Sequence, residues 1–161
     1  MPSAALAAIL TGVVRTEGAV AIGNVDIDFI DQCSGDNVFL ASDHTAADGT
    51  FSITIAAGTY DVHFIPPAGS TVCAGDFQDF VVAGNASLGT VTLHPGRLVS
   101  GAVLTPSLGP AANIDLKWVN VGTSQRVFLS KTLTDALGHY ATRVPSGTWN
   151  IDFRPAATTR R

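Results

Sequence analysis

The chain has 161 residues, of which 14% are charged, with a net charge of −4 and a mean hydropathy of +0.30. This balance supplies no basic stripe for a nucleic-acid backbone, and no apolar run reaches the ~18 residues of a membrane span. With Lys117 and Lys131 as the sole lysines, Thr, Ser, Ala, Gly and Asn must cover most of the surface, a coat more usual on extracellular modules than on cytoplasmic enzymes.

The N-terminal MPSAALAAIL is apolar but lacks the basic region of a secretion signal, and it runs directly into an expected first strand at Leu10–Val14. It reads as a lead-in or as the cut edge of a longer protein. Val25, Ile27 and Phe29 alternate with Asp26 and Asp28, the period-2 pattern of a half-buried strand. Val38-Phe39-Leu40 is the next expected strand. Phe51, Ile53 and Ile55 then alternate up to a turn at Ala57-Gly58, and Tyr60, Val62 and Phe64 alternate back. Gly58, like its later counterpart Gly147, is expected at positive φ, and Pro66, like Pro155, ends the strand because it cannot donate to a ladder. Asp76–Val82 and Leu88–Leu93 read as two further strands around a Gly84-Asn85 turn.

From Val99 onward the pattern starts again. Thr45–Pro66 returns as Thr134–Pro155, a spacing of 134 − 45 = 89, and Leu10–Val72 laid on Val99–Arg161 without a gap gives 16 identical pairs in 63. The identities include Gly12/Gly101, Asn24/Asn113, Asp26/Asp115, Gly49/Gly138, Gly58/Gly147 and Pro66/Pro155. Conservative pairs such as Phe29/Trp118, Tyr60/Trp149 and Val62/Ile151 fill the apolar positions. A period of this length marks duplication of one β-unit. The expected domains are residues 1–96, with about seven strands, and residues 97–161, with about five and without equivalents of the last two. The fold class is all-β: two tandem antiparallel β-sandwiches of the Ig-like or prealbumin-like kind.

The order Gly12-x-Val14, Val25-Asp26-Ile27, Thr45-x-x-Asp48-Gly49-x-Phe51 and Ala57-Gly58-Thr59-Tyr60-Asp61-Val62 resembles the carboxypeptidase regulatory-like domain, a prealbumin-like or transthyretin-like β-sandwich. The second copy repeats it as Gly101-x-Val103, Ile114-Asp115-Leu116, Thr134 to Tyr140 and Ser146 to Ile151. The resemblance spans nearly the whole chain and implies a non-catalytic module, commonly in tandem in secreted and cell-surface proteins.

No reaction chemistry is legible. The histidines, His44, His63, His94 and His139, lack metal-ligand spacing, and no nucleophile elbow or phosphate-cradling glycine loop occurs. Asp26, Asp28, Asp31, Asp36, Asp43 and Asp48 offer oxygen ligands, yet a calcium loop's spacing is absent, so no metal and no cofactor is expected. The aromatics Phe29, Phe39, Phe51, Tyr60 and Phe64 are assigned to the core rather than to a sugar-stacking platform. Lys117, between Leu116 and Trp118, points outward and is unsuited to an isopeptide cross-link. Cys33 and Cys73 are the expected disulfide, with two buried thiols as the other possibility. Asn85-Ala86-Ser87 is an N-glycosylation sequon on an expected turn.

The expected role is therefore a structural or adhesive module of an extracellular or cell-surface protein, not an enzyme. One alternative is a subunit of a self-assembling surface filament, closed when one subunit donates Ser3–Leu10 to the open edge of its neighbour's second domain. The other is a carbohydrate- or protein-binding accessory module of a secreted enzyme.

Overall fold

A computed structural model describes residues 7–156, and all ten of its elements are strands. The chain divides into two compact units, one ending at Pro95 and one beginning at Gly96.

In the first unit, β1 (Ala7–Thr16) lies between β3 (Thr50–Ala56) and β6 (Ala86–Leu93), while β4 (Gly58–Ile65) lies between β2 (Asp26–Asp31) and β5 (Gly75–Val82). Strict alternation builds the space between these two sheets: Phe51, Ile53 and Ile55 of β3 and Tyr60, Val62 and Phe64 of β4 are all buried, and their sequence neighbours face outward. Leu10, Val14, Val25, Ile27, Phe29, Val91 and Leu93 complete that core. The sandwich departs from an all-antiparallel arrangement in one place, since β6 runs parallel to β1, with Leu10 opposite Ala86 and Thr16 opposite Leu93. The short Ala83–Asn85 link carries the chain from β5 in one sheet to β6 in the other, so no hairpin geometry dictates the direction of β6.

The second unit repeats the first four strands as β7 (Gly96–Ala102), β8 (Ile114–Asn120), β9 (His139–Pro145) and β10 (Trp149–Pro155). Pairing register repeats too. Ala7 faces Ala56 and Gly96 faces Pro145; Asp26 faces Ile65 and Asp115 faces Arg154. Among the described residues β7 pairs with β9 alone and β10 with β8 alone, so the places that β5 and β6 fill in the first unit have no strand here.

Corresponding residues of the two copies make corresponding contacts. Thr45 and Thr134 are buried; each hydroxyl accepts from the backbone N–H of Val25 or Ile114 at 2.9 Å and donates to the carbonyl of Ile22 or Ala111 at 2.8 or 2.7 Å. Asn24 and Asn113 both sit at φ 55°, a conformation asparagine tolerates better than most residues. The Tyr60 hydroxyl donates to Ala56 O, and the Trp149 indole to Pro145 O, each at 3.0 Å, clamping the hairpin four residues back. Thr45→Val keeps the shape but strips both partners from a buried turn, and is expected to cost about 2 kcal/mol, read from the shift in urea midpoint.

Three expectations change. Val38-Phe39-Leu40 is not a strand: the segment bridges β2 only at its two ends, Asn37 to Ile30 and His44 to Asp26. Val38 and Leu40 turn in toward the core, so Phe39 between them must turn out, and it is 94% exposed rather than in the core. Gly58 does not adopt positive φ, although its copy Gly147 does, at 154°; in both copies the glycine earlier in the motif does so as well, Gly49 at 80° and Gly138 at 76°. Gly58 instead leaves room for the tyrosine clamp, because a Cβ there would lie 2.8 Å from the Tyr60 hydroxyl. Finally, Ala7–Leu10 is no spare segment for a neighbour. It is the start of β1, paired with β3 along its length and with β6 from Leu10 onward, with Leu10 fully buried; Ser3–Leu6 lies outside the described residues.

Candidate functional site

Cys33 and Cys73 are not joined. Cys33 sits on the turn that leaves β2 at Asp31, where the Asp31 carboxylate accepts from the N–H groups of Cys33 and Ser34 at 2.8 and 2.9 Å. Asp31 pairs with Tyr60 at one end of its sheet, whereas Cys73 lies just before Gly75, which pairs with Phe64 at the other end. The cysteines are thus separated by most of the length of β4, far beyond the ~7 Å Cα separation a disulfide can bridge. Cys33 is exposed and Cys73 buried. Native protein without reductant is accordingly expected to take one equivalent of an alkylating reagent at Cys33, and a second at Cys73 only after unfolding; failure to label either cysteine after unfolding would show a bridge.

The Asn85 side chain is engaged, its Oδ1 accepting from the Ile9 N–H at 2.8 Å at the start of the parallel β1–β6 pairing. Ser87 of the sequon lies within β6, opposite Thr11.

Several of the acidic residues, Asp31, Asp48, Asp61 and Asp135, accept from backbone N–H groups. Asp48 accepts from both the hydroxyl and the N–H of Thr50, at 2.6 and 3.0 Å, and these bonds hold its carboxyl below the usual range. Asp28 accepts from the Asn37 amide at 3.0 Å. Asp26 and Asp43 do converge, together with His44, which the spacing of the histidines does not reveal. His44 Nδ1 lies 2.6 Å from Asp43 Oδ1, and its Nε2 lies 4.0 Å from Asp26 Oδ1. One atom from each of the three lies within 4.8 Å of the others. Burial, then the neighbouring Asp28 charge, raises the Asp26 carboxyl above its ordinary value, with His44 opposing. An imidazole with two carboxylates could ligate a divalent transition ion, and the same contacts are those of an ordinary surface ion pair. In the second copy Asp115, Thr132 and Leu133 take these places, so the grouping belongs to the first unit alone.

His63 stands across the outer sheet face between Asp28 and Asp76, half-buried, and burial lowers its pKa against the pull of those acids. His94 Nδ1 lies 2.6 Å from Glu17 Oε1. No arrangement of general acid, base and nucleophile is assembled by these contacts of the described residues.

The most pronounced feature is the unfinished second core. Leu116, Trp118, Leu129 and Val144 form it, with Val99, Tyr140, Trp149 and Ile151 only partly covered. Phe153 is 48% exposed, whereas its counterpart Phe64 is fully buried. The Trp118 indole N–H is buried without an acceptor among the described residues. Beside the same sheet pair a cavity of about 680 Å³ opens between Gly101, Tyr140, Leu133 and Lys131. Sequence comparison with the first copy points to the missing strands; the exposure of Phe153 required the structure.

No protein-family model and no curated protein matches the chain. Among solved structures it is similar to the Bacillus anthracis TIE protein at 16% identity and TM-score 0.39, covering 93% of this chain and 28% of that one. It is also similar to a streptococcal ancillary pilin at 11% identity and TM-score 0.41, covering 96% and 55%. A third is a DUF3823 family protein from Parabacteroides merdae at 16% identity and TM-score 0.39, covering 93% and 82%. The chain thus spans about a quarter of the first of these proteins and about half of the second.

Proposed function

We propose that the chain is a non-catalytic structural module of an extracellular or cell-surface protein, and that strands from a protein partner complete its second sandwich. The observation that carries this is the pair of open edges on β7 and β10 over a core that exposes Phe153. Unpaired edge N–H and C=O groups beside an apolar face recruit extended chain. The likeness of the repeated motif to the carboxypeptidase regulatory-like domain supports a module that acts through its surface rather than through a reaction.

The direct test is to supply the strands. Residues 73–95, which contain β5 and β6, are fused after Arg161, the copy of position 72 at the spacing of 89, so that the second unit has what the first already has. The fusion is expected to raise the unfolding temperature of the second unit and to reduce binding of the dye ANS to exposed apolar surface. Unchanged stability and dye binding would overturn the proposal.

A further inference from the structure

The two units carry opposite charge. Residues 1–95 hold ten Asp and Glu and one basic side chain, Arg15, a balance of 1 − 10 = −9. Residues 96–161 hold eight Lys and Arg and three Asp, a balance of 8 − 3 = +5, and the two sum to the chain's −4. Duplication alone would leave the copies alike. Here Asp28 is replaced by Lys117, Asn37 by Arg126, Ser42 by Lys131, Thr54 by Arg143 and Ile65 by Arg154.

We propose that molecules of this chain associate head to tail, the acidic first unit of one copy docking through its β5/β6 flank on the open β10/β7 flank of another's second unit. This rests on the open-edge proposal above and names its occupant. Three observations favour a second copy. First, the charges are complementary, which steers encounter and fixes orientation. Second, the flanks match. β5 and β6 are the last strands of their respective sheets and lie on one side of the sandwich, being joined by three residues. β10 and β7 end their own sheets at the equivalent positions, since they repeat β4 and β1 in register. Docking would therefore extend both sheets at once.

Third, the exposed side chains suit each other. β5 carries Asp76 and Asp79 with the exposed Phe77 and Val81; β10 carries Arg154, paired within its own strand to Asp152 at 2.9 Å, with the exposed Phe153, and β7 carries Arg97 with the exposed Leu98. Opposite charges and apolar pairs across adjacent strands are mutually stabilising. The ladder on β5 is interrupted, because its register against β4 shifts between Tyr60 and Val62, with Asp79 at φ 52°. Regular pairing is thus limited to short stretches, and charge contributes much of the contact. A first-unit flank meeting a second-unit flank is heterologous, so each molecule keeps one free end of each kind and chains can grow.

The test uses the full chain in analytical ultracentrifugation over a range of concentrations. Average mass is expected to rise with concentration at low salt and to fall back toward monomer in ~0.5 M sodium chloride, where the Debye length is about 4 Å. Two surface variants, Asp76→Lys and Arg97→Glu with Arg154→Glu, should each weaken self-association about tenfold or more, and an equimolar mixture of the two should restore heteromeric complexes. Circular dichroism and unfolding midpoints like those of the parent establish that the variants fold. A monomer at every concentration and salt, including one whose shape alone responds to salt, overturns the head-to-tail contact. So does association that neither salt nor the charge reversals change. Improved stability of the strand-fused chain alongside a strictly monomeric parent would leave the open-edge proposal standing and remove only the second copy as its occupant.

Discussion

Phe64→Ala is expected to destabilise the first unit by about 3–5 kcal/mol, while Phe153→Ala, at the same place in the repeat, costs the isolated molecule about 1 kcal/mol. Phe64 is fully buried between the sheets and packs edge-on to Phe77, with centroids 5.6 Å apart, and tilted against Phe51 at 6.1 Å. Truncation there loses the transfer energy of a whole ring, leaves a cavity, and removes two aromatic contacts of about 0.5–1.5 kcal/mol each. Phe153 retains its contact with Tyr140 at 6.2 Å, but half of its surface already meets water, and the strand that would supply the counterpart of Phe77 is absent from the described residues. Removing it creates an indentation rather than a void. Chemical unfolding of both variants measures the contrast, with separate transitions for the two units assigned from Trp118 and Trp149 fluorescence, since both tryptophans lie in the second unit. Equal costs would mean that the second core is closed in solution. The same Phe153→Ala variant becomes costly in the strand-fused chain if β5 and β6 cover the position as they do in the first unit.

How much of this was legible beforehand depends on whether the determinant is local. Alternation along Phe51–Phe64 specified two strands and their inward faces, because the period-2 pattern allows only one assignment that buries the aromatics. The repeat specified the second unit by the same reasoning. What failed was decided by tertiary placement. The direction of β6 depends on which sheet the chain enters after Ala83–Asn85, and strand alternation is identical for parallel and antiparallel neighbours. Phe39 was misplaced because three consecutive apolar residues cannot all face one side, and nothing local says which of them yields. Cys33 and Cys73 each follow a strand, but at opposite ends of the sheet, a distinction invisible without the register of β2, β4 and β5. The grouping of Asp26 with Asp43 and His44 arises because the 37–44 segment returns to β2 at its far end. Charge polarity, by contrast, is readable from sequence as soon as the boundary between the units is known.

Gly49→Ala is the second change expected to have a large effect, about 3 kcal/mol or more, and Gly138→Ala should behave alike in the other unit. Gly49 has φ 80°, where an L-residue pays about 1–2 kcal/mol. Conformation is the smaller part. A Cβ at Gly49 would lie 2.4 Å from Val14 O, and at Gly138 2.5 Å from Val103 O, so a carbonyl rather than a flexible side chain would have to move. That carbonyl is not free to move: Val14 O accepts from the Ile22 N–H at 3.0 Å, and the Val14 N–H donates to Gly49 O at 2.8 Å. The second unit repeats the arrangement, with the Ala111 N–H on Val103 O and the Val103 N–H on Gly138 O, both at 2.9 Å. Relief of the clash in either unit therefore breaks the bond that ties the first strand to the turn before the third, close to buried Thr45 or Thr134. A comparison with Gly35→Ala isolates the steric part, because Gly35 has a similar φ of 77° with nothing within 4 Å of its would-be Cβ. Gly35→Ala should lose only the conformational 1–2 kcal/mol. If Gly49→Ala costs no more than Gly35→Ala in chemical unfolding, the turn relaxes without breaking the Val14 contacts, and the repeated Thr-x-x-x-Gly motif owes its glycine to backbone conformation alone.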